Sequence, residues 1–211
     1  MSPKIFVRLS DKKLTATFSD KKECADLSLY IITLNNLQLE NNKFNLKYIL
    51  SIINSNLMSF YFISKWFIKN LNTWTPQIRL NEIRNIPIPN IPLSEQQPFI
   101  DKADLMLEMN KELHEKIDFV LRFLTQKYSI IKPSTKLQKF RSLDFAGFLK
   151  ELKQVRISLS DQAELMDFFE VKKSEILVLK NEIDTTDREI DEMVFELYGL
   201  TEEEKRVVME S

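Results

Sequence analysis

Apolar positions recur at two different periods along this chain. The first forty residues read as strands. Residues 4–9 (Lys-Ile-Phe-Val-Arg-Leu) form a β-rich run, and 14–18 (Leu-Thr-Ala-Thr-Phe) alternates in strand fashion. The polar turn over residues 10–13 between them predicts a hairpin. After a charged loop at 19–23, the run Leu29-Tyr-Ile-Ile-Thr-Leu34 is the most continuously apolar of the strands and predicts a central position. A polar loop follows over 35–42. From residue 45 the period lengthens: Leu46, Ile49, Leu50, Ile53, Leu57, Phe60 and Tyr61 predict one helix over 45–70, with Asn45 as its N-cap. Phe60, Tyr61, Phe62, Trp66 and Phe67 are read as core bulk against the sheet. Lys65 and Lys69 then share an exposed face near the helix end, where they suit the helix dipole.

A heptad can be written over 95–127, with Phe99, Ala103, Met106, Asn110, Leu113, Ile117, Val120 and Leu124 on one seam. Asn110 would be a single buried amide that fixes register. Such a helix reaches about 50 Å. Lys132-Pro133-Ser134 interrupts it, and one short helix is predicted near 144–154. The heptad returns from Ser160 to Tyr198 through Phe169, Ile176, Leu179, Ile183, Ile190, Met193 and Leu197, capped by Ser160 or Asp161. Gly199 reads as a C′ glycine, and Thr201 to Glu204 as the cap of a last short helix. Two seamed helices around a compact insert predict an antiparallel coiled-coil hairpin. The fold class is therefore α+β: a small mixed sheet with packed helices, about 1–92, then a helical arm, 93–211, with an insert at about 128–160.

The junction between these halves is the densest stretch of signals. From Thr75 to Gln97 it reads as a short strand or turn, then a proline-stiffened crossing, then the start of a long helix. Pro87, Pro89 and Pro92 forbid helix and impose an extended crossing. Ser94 and Gln97 make a capping-box pattern before the helical repeat, with Pro98 shifting the expected start a residue or two later.

Composition narrows the chemistry. In 211 residues there are 2 glycines, 1 cysteine and 1 histidine. So few glycines leave no Gly-rich phosphate loop, and Cys24 alone excludes a disulfide framework and fits a reducing cytoplasm. Neither Cys24, in a polar loop without a histidine to activate it, nor His114, flanked by charge on a helix, makes a nucleophile or metal site. No stretch of about 18 apolar residues suggests a membrane span, and the first residues lack the apolar core of a signal peptide. The net charge of -1 conceals an asymmetry: residues 1–92 hold 12 of the 30 Lys and Arg but only 6 of the 31 Asp and Glu. A basic half joined to an acidic half suggests that one part meets a polyanion. Chance unevenness on solvated faces is the plainer alternative.

The stretch TPQIRLNEIRNIPIPNIPLSEQQPFIDKADLMLEMNKEL (75–113) resembles the exit of a target-recognition domain into its spacer helix in bacterial restriction-modification proteins. NLKYILSIINSNLMSFYF (45–62) and NEIDTTDREIDEMVFELYGLTEEEKRVV (181–208) fit the same family in the same order. The family is the TaqI-like C-terminal specificity domain of type IIG and related adenine-specific methyltransferases, and a similar junction occurs in type I specificity subunits. The resemblance implies sequence-specific recognition of double-stranded DNA from the major groove by loops of the small sheet. It also implies a methyltransferase or nuclease domain or subunit as partner. The Asn-Pro-Pro-Tyr/Phe motif and S-adenosylmethionine loop of such enzymes are absent from these residues, so the chain itself is expected to be catalytically inert. S-adenosylmethionine, with Mg2+ as a further candidate, would belong to the parent enzyme, and this chain would carry no cofactor.

Base reading needs bidentate groups and phosphate contact needs cations. Near the junction, Thr73, Trp74, Thr75, Gln77 and Arg79 are available, and base reading is assigned to Gln77 and Arg79. Arg8, Lys12, Lys13, Lys21 and Lys22 on the turns are the backbone contacts. Arg84 could equally pair with Glu82 or Glu40. A helical interaction scaffold without DNA affinity, including a homodimer closing through the arm, is the competing reading.

Overall fold

The computed structural model describes residues 3–9, 13–34, 43–66, 78–130, 132–152 and 157–210. The chain forms two compact units, one from residues 1–107 with 186–211 and one from 108–185.

The first unit carries a three-stranded antiparallel sheet of order β2-β1-β3, with β1 at Lys4–Arg8, β2 at Ala16–Ser19 and β3 at Leu29–Ile32. The predicted β1–β2 hairpin is present in the register Lys4↔Ser19 to Val7↔Ala16. The central strand is β1, not the run at 29–34, which forms an edge. Ile5, Phe6 and Val7 are buried in succession, whereas Ile31 is 47% exposed. The longer apolar run of β3 is thus covered on one side of its alternation only.

Helix α1 (Leu46–Asn54) packs Leu46 and Leu50 on Ile5 and Val7, and Asn45 caps it by accepting the Lys47 N–H at 2.8 Å. The predicted single helix over 45–70 is broken at Ser55, and α2 runs Asn56–Trp66. Ser55 leaves helical conformation at φ -65°, ψ 153°; its hydroxyl donates to the Ile52 carbonyl at 2.7 Å and accepts the Met58 N–H at 3.2 Å. One serine therefore ends α1 and starts α2. Of the predicted aromatic bulk, Phe62 is buried and Phe60 and Tyr61 half-buried; the side chain of Trp66, with Phe67 and Lys69, lies outside the described residues.

Beyond Ile78 the expected strand or turn becomes a helix of five residues, α3 (Leu80–Arg84). The proline stretch holds neither helix nor strand, and two of its carbonyls are held by phenols: Tyr48 donates to Pro89 at 2.8 Å, and Tyr198 donates to Pro87. Burial pushes the Tyr48 phenol up to about 12, so it stays a donor at neutral pH. Helix α4 (Leu93–Tyr128) starts earlier than the Ser94–Gln97 box predicts, with the Gln96 N–H on the Pro92 carbonyl at 3.1 Å. Pro98 lies inside the helix, near its N-terminus, where it removes one backbone bond. The core gathers Tyr48, Ile52, Ile53, Met58 and Phe62 with Phe99, Ile190, Val194 and Phe195.

In the second unit, facing stretches of α4 and α7 (Leu159–Tyr198) run antiparallel. Lys116 meets Glu175 at 3.3 Å; one heptad further along α4, Phe123 meets Phe168, one heptad back along α7, with ring centroids 4.4 Å apart. The two long helices thus pair as a hairpin. Helix α7 starts before the predicted caps: Ser158 accepts the Asp161 N–H at 3.1 Å. The insert holds α5 (Thr135–Gln138), a 3-10 turn and α6 (Phe145–Glu151), capped by Asp144. Phe140 and Phe148 from the insert pack on Phe169 of α7, and all three are fully buried. Helix α8 (Glu202–Met209) belongs to the first unit and begins with the predicted capping box of Thr201 and Glu204.

Candidate nucleic-acid interface

Three chain segments converge on the end of β1. The Arg8 N–H bonds the Thr15 carbonyl of the hairpin, the Leu9 N–H bonds the Ser28 carbonyl before β3, and the Ile78 N–H bonds the Leu9 carbonyl, each at 2.9 Å. This last bond brings Arg79 to the sheet end that carries Arg8, across seventy residues of sequence. Both side chains are exposed. Arg79 is held as the residue before α3: its backbone N–H donates at 2.8 Å to Glu82, whose side chain is buried. Glu82 is therefore a capping carboxylate, not the surface partner weighed for Arg84.

Lys21 and Lys22 are exposed at the opposite end. There Lys4, opposite Ser19, donates its ammonium to the Lys21 carbonyl. Five strand residues separate the two ends by about 13 Å. The five described assignments, all basic, thus do not form one patch: Arg8, Lys13 and Arg79 fall at one end, Lys21 and Lys22 at the other. Lys12, Thr75 and Gln77, with Thr73 and Trp74, lie outside the described residues.

Lys13 has a second role that its sequence position does not suggest. Its ammonium donates to Asn56 Oδ1 at 2.8 Å; Asn56 in turn donates through its backbone N–H and Nδ2 to Asp191 of α7, at 2.7 and 2.5 Å. Asp191 is 3% exposed and closes the N-terminus of α2 from another helix. Burial pushes its carboxyl up from 3.8 to about 6, against the lowering effect of the Asn56 N–H. A solvated-looking carboxylate 135 residues away in sequence could not be paired with Asn56 by inspection. Gln96 was also missed: fully buried, it donates to the carbonyls of Lys43 and Ile91 at 2.8 and 3.0 Å and accepts the Asn45 N–H at 2.9 Å. Its neighbour Gln97 is exposed and pairs with Asp101.

The remaining chemistry-bearing residues are dispersed. Cys24 is exposed, and His114 is exposed with Nδ1 2.6 Å from the Asn110 carbonyl oxygen one helical turn back. Asn110 itself is half-buried on the seam. Gly147 lies in the first turn of α6 and Gly199 ends α7, so neither belongs to a loop that could cradle a phosphate. Among the described residues no three His, Cys, Asp or Glu side chains gather as a metal site, and no helix is long and apolar enough to cross a membrane.

Comparison with known proteins divides the chain at the proline crossing. Residues 92–194 match a domain of unknown function (DUF8810), and residues 1–88 match the TaqI-like C-terminal specificity domain. No curated protein and no solved structure matches the chain. The family suggested by the junction sequence is thus matched over residues 1–88, which include the first part of that stretch: these residues are similar to the TaqI-like C-terminal specificity domain, a family that fits target recognition in restriction-modification in general.

Proposed function

We propose that this chain is the DNA-recognition module of a bacterial restriction-modification enzyme, positioning a separate adenine-N6 methyltransferase or nuclease on its site without catalysing a reaction itself. The observation that carries the reading is the placing of Arg8 and Arg79 at one end of a sheet whose residues match a specificity domain. Two guanidiniums so placed suit either guanine O6/N7 or a phosphate pair. The helical arm then serves as spacer and docking surface.

The network at Lys13 decides which residues to change. Lys13→Glu would place a carboxylate against Asn56 and near the buried Asp191, confusing lost binding with lost fold. The test is a fluorescence-anisotropy titration of a random-sequence duplex at about 50 and 200 mM salt, comparing wild type, Arg8→Glu/Arg79→Glu and Lys21→Glu/Lys22→Glu. The proposal expects binding that weakens steeply with salt and is lost in the arginine pair. Affinity indifferent to salt and to both pairs would assign the chain to the interaction scaffold.

A further inference from the structure

The two edges of the sheet are finished differently. On β2, Asn54 occupies the outward groups of Ala16: its Oδ1 accepts the N–H at 2.8 Å and its Nδ2 donates to the carbonyl at 3.0 Å. That amide stands where a further strand would bond. On β3 nothing comparable occurs. The Leu9–Ser28 bond sets the phase of the β1–β3 ladder, so Tyr30 and Ile32 face β1. The N–H and carbonyl of Ile31, and the N–H of Thr33, therefore point away from the sheet. No described residue bonds them.

Beside this edge lies a groove of about 410 Å³ in the first unit, lined by Ile31 of β3, by Thr33 just after it, and by Ile83, Arg84, Ile86 and Ile88. Most of its lining side chains are apolar, with backbone, Thr33 and Arg84 supplying polar surface between them, and Ile31 and Leu80 are 47% and 42% exposed. Arg84 is exposed and has no partner among the described residues. An edge without charge, proline or bulge is a template for strand addition, which proteins ordinarily blunt. Here Asn54 blunts one edge, while the other, the four-residue β3, is met by no described residue.

We propose that β3 is a docking edge for an extended segment of a partner polypeptide, added as a fourth strand, with alternate apolar side chains in the groove and a carboxylate on Arg84. The backbone of Ile31 supplies the ladder bonds, the isoleucine walls select side chains, and the guanidinium selects charge. Charge decides among the occupants. A second copy of this edge would set Ile31 near its own counterpart and present the same Arg84 cation on both sides. Duplex DNA would meet an apolar wall with a single cation. This inference concerns a protein partner and does not depend on the DNA reading.

The test uses the full chain and labelled octapeptides of alternating Val and Thr carrying one Glu or one Lys at each position in turn. Fluorescence anisotropy is expected to show binding of Glu peptides about tenfold tighter than Lys peptides. Arg84→Glu should invert that preference. Ile31→Pro, which removes only an outward N–H and is tolerated on an edge, should abolish binding while the thermal midpoint shows that the chain is folded. Absence of binding across the panel, or binding unchanged in both variants, overturns the proposal. Loss of duplex affinity in the charge-neutral Ile31→Pro, with peptide binding intact, overturns it in favour of a DNA-facing edge.

Discussion

At the scale of single residues, the buried polar groups carry more than the charged ones. Gln96 satisfies two carbonyls and one N–H from three separate backbone segments. Replacing it by Leu strands all three in a dry site, so Gln96→Leu should cost about 2–4 kcal/mol in urea unfolding. Gln97→Leu, next to it and exposed, should stay within about 0.5 kcal/mol. The motif was legible as a Glu-Gln junction, but which amide was buried depended on where α4 begins. Asp191 gives a pH signature. Its folded value of about 6 lies above the ordinary 3.8, so the stability it contributes is fully present below about pH 4 and lost as pH rises through 6. The loss amounts to about 3 kcal/mol. Asp191→Asn should flatten that portion of the stability profile, measured by thermal melts from pH 4 to 7. An unchanged slope would remove Asp191 as its source.

At the scale of elements, endings written in one residue were legible and endings written across the fold were not. Helix α7 stops at Gly199, with φ +69°, where the Gly199 N–H bonds Glu196 and the Leu200 N–H bonds Phe195, both at 3.0 Å. This is a Schellman cap, and the lone glycine announces it. A Cβ there would meet nothing within 4 Å. Gly199→Ala should therefore cost about 1 kcal/mol, all of it conformational, read as a lowered urea midpoint with unchanged slope. The break at Ser55 was hidden because apolar spacing from Leu46 to Tyr61 continues across it. Asp191, on another helix, supports the new N-terminus. The position of β3 was hidden for a similar reason: hydrophobic continuity reports burial, but only pairing shows which strand lies between two others.

At the scale of the whole molecule, the charge division between residues 1–92 and 93–211 gives a spatial prediction. Hydrogen exchange with and without duplex DNA should slow at Arg8–Leu9 and Ile78–Arg84 and leave residues 108–185 unchanged; protection confined to the arm would reverse the assignment of roles. The sequence by itself determined the kinds of element, the proline crossing, the heptad seams, the terminal capping box and the likeness to a specificity-domain family that residues 1–88 match. These depend on local sterics, periodicity and short-range capping, all of which act within a few turns of chain. Only the tertiary structure decided that β1 is central, that Arg79 lies at the sheet end of Arg8 and not of Lys21, that Lys13 is tied to Asn56 beside Asp191, and that one sheet edge is closed by Asn54 while no described residue closes the other. Each of those outcomes is a hydrogen-bonding choice between distant segments, made when burial leaves a polar group one available partner.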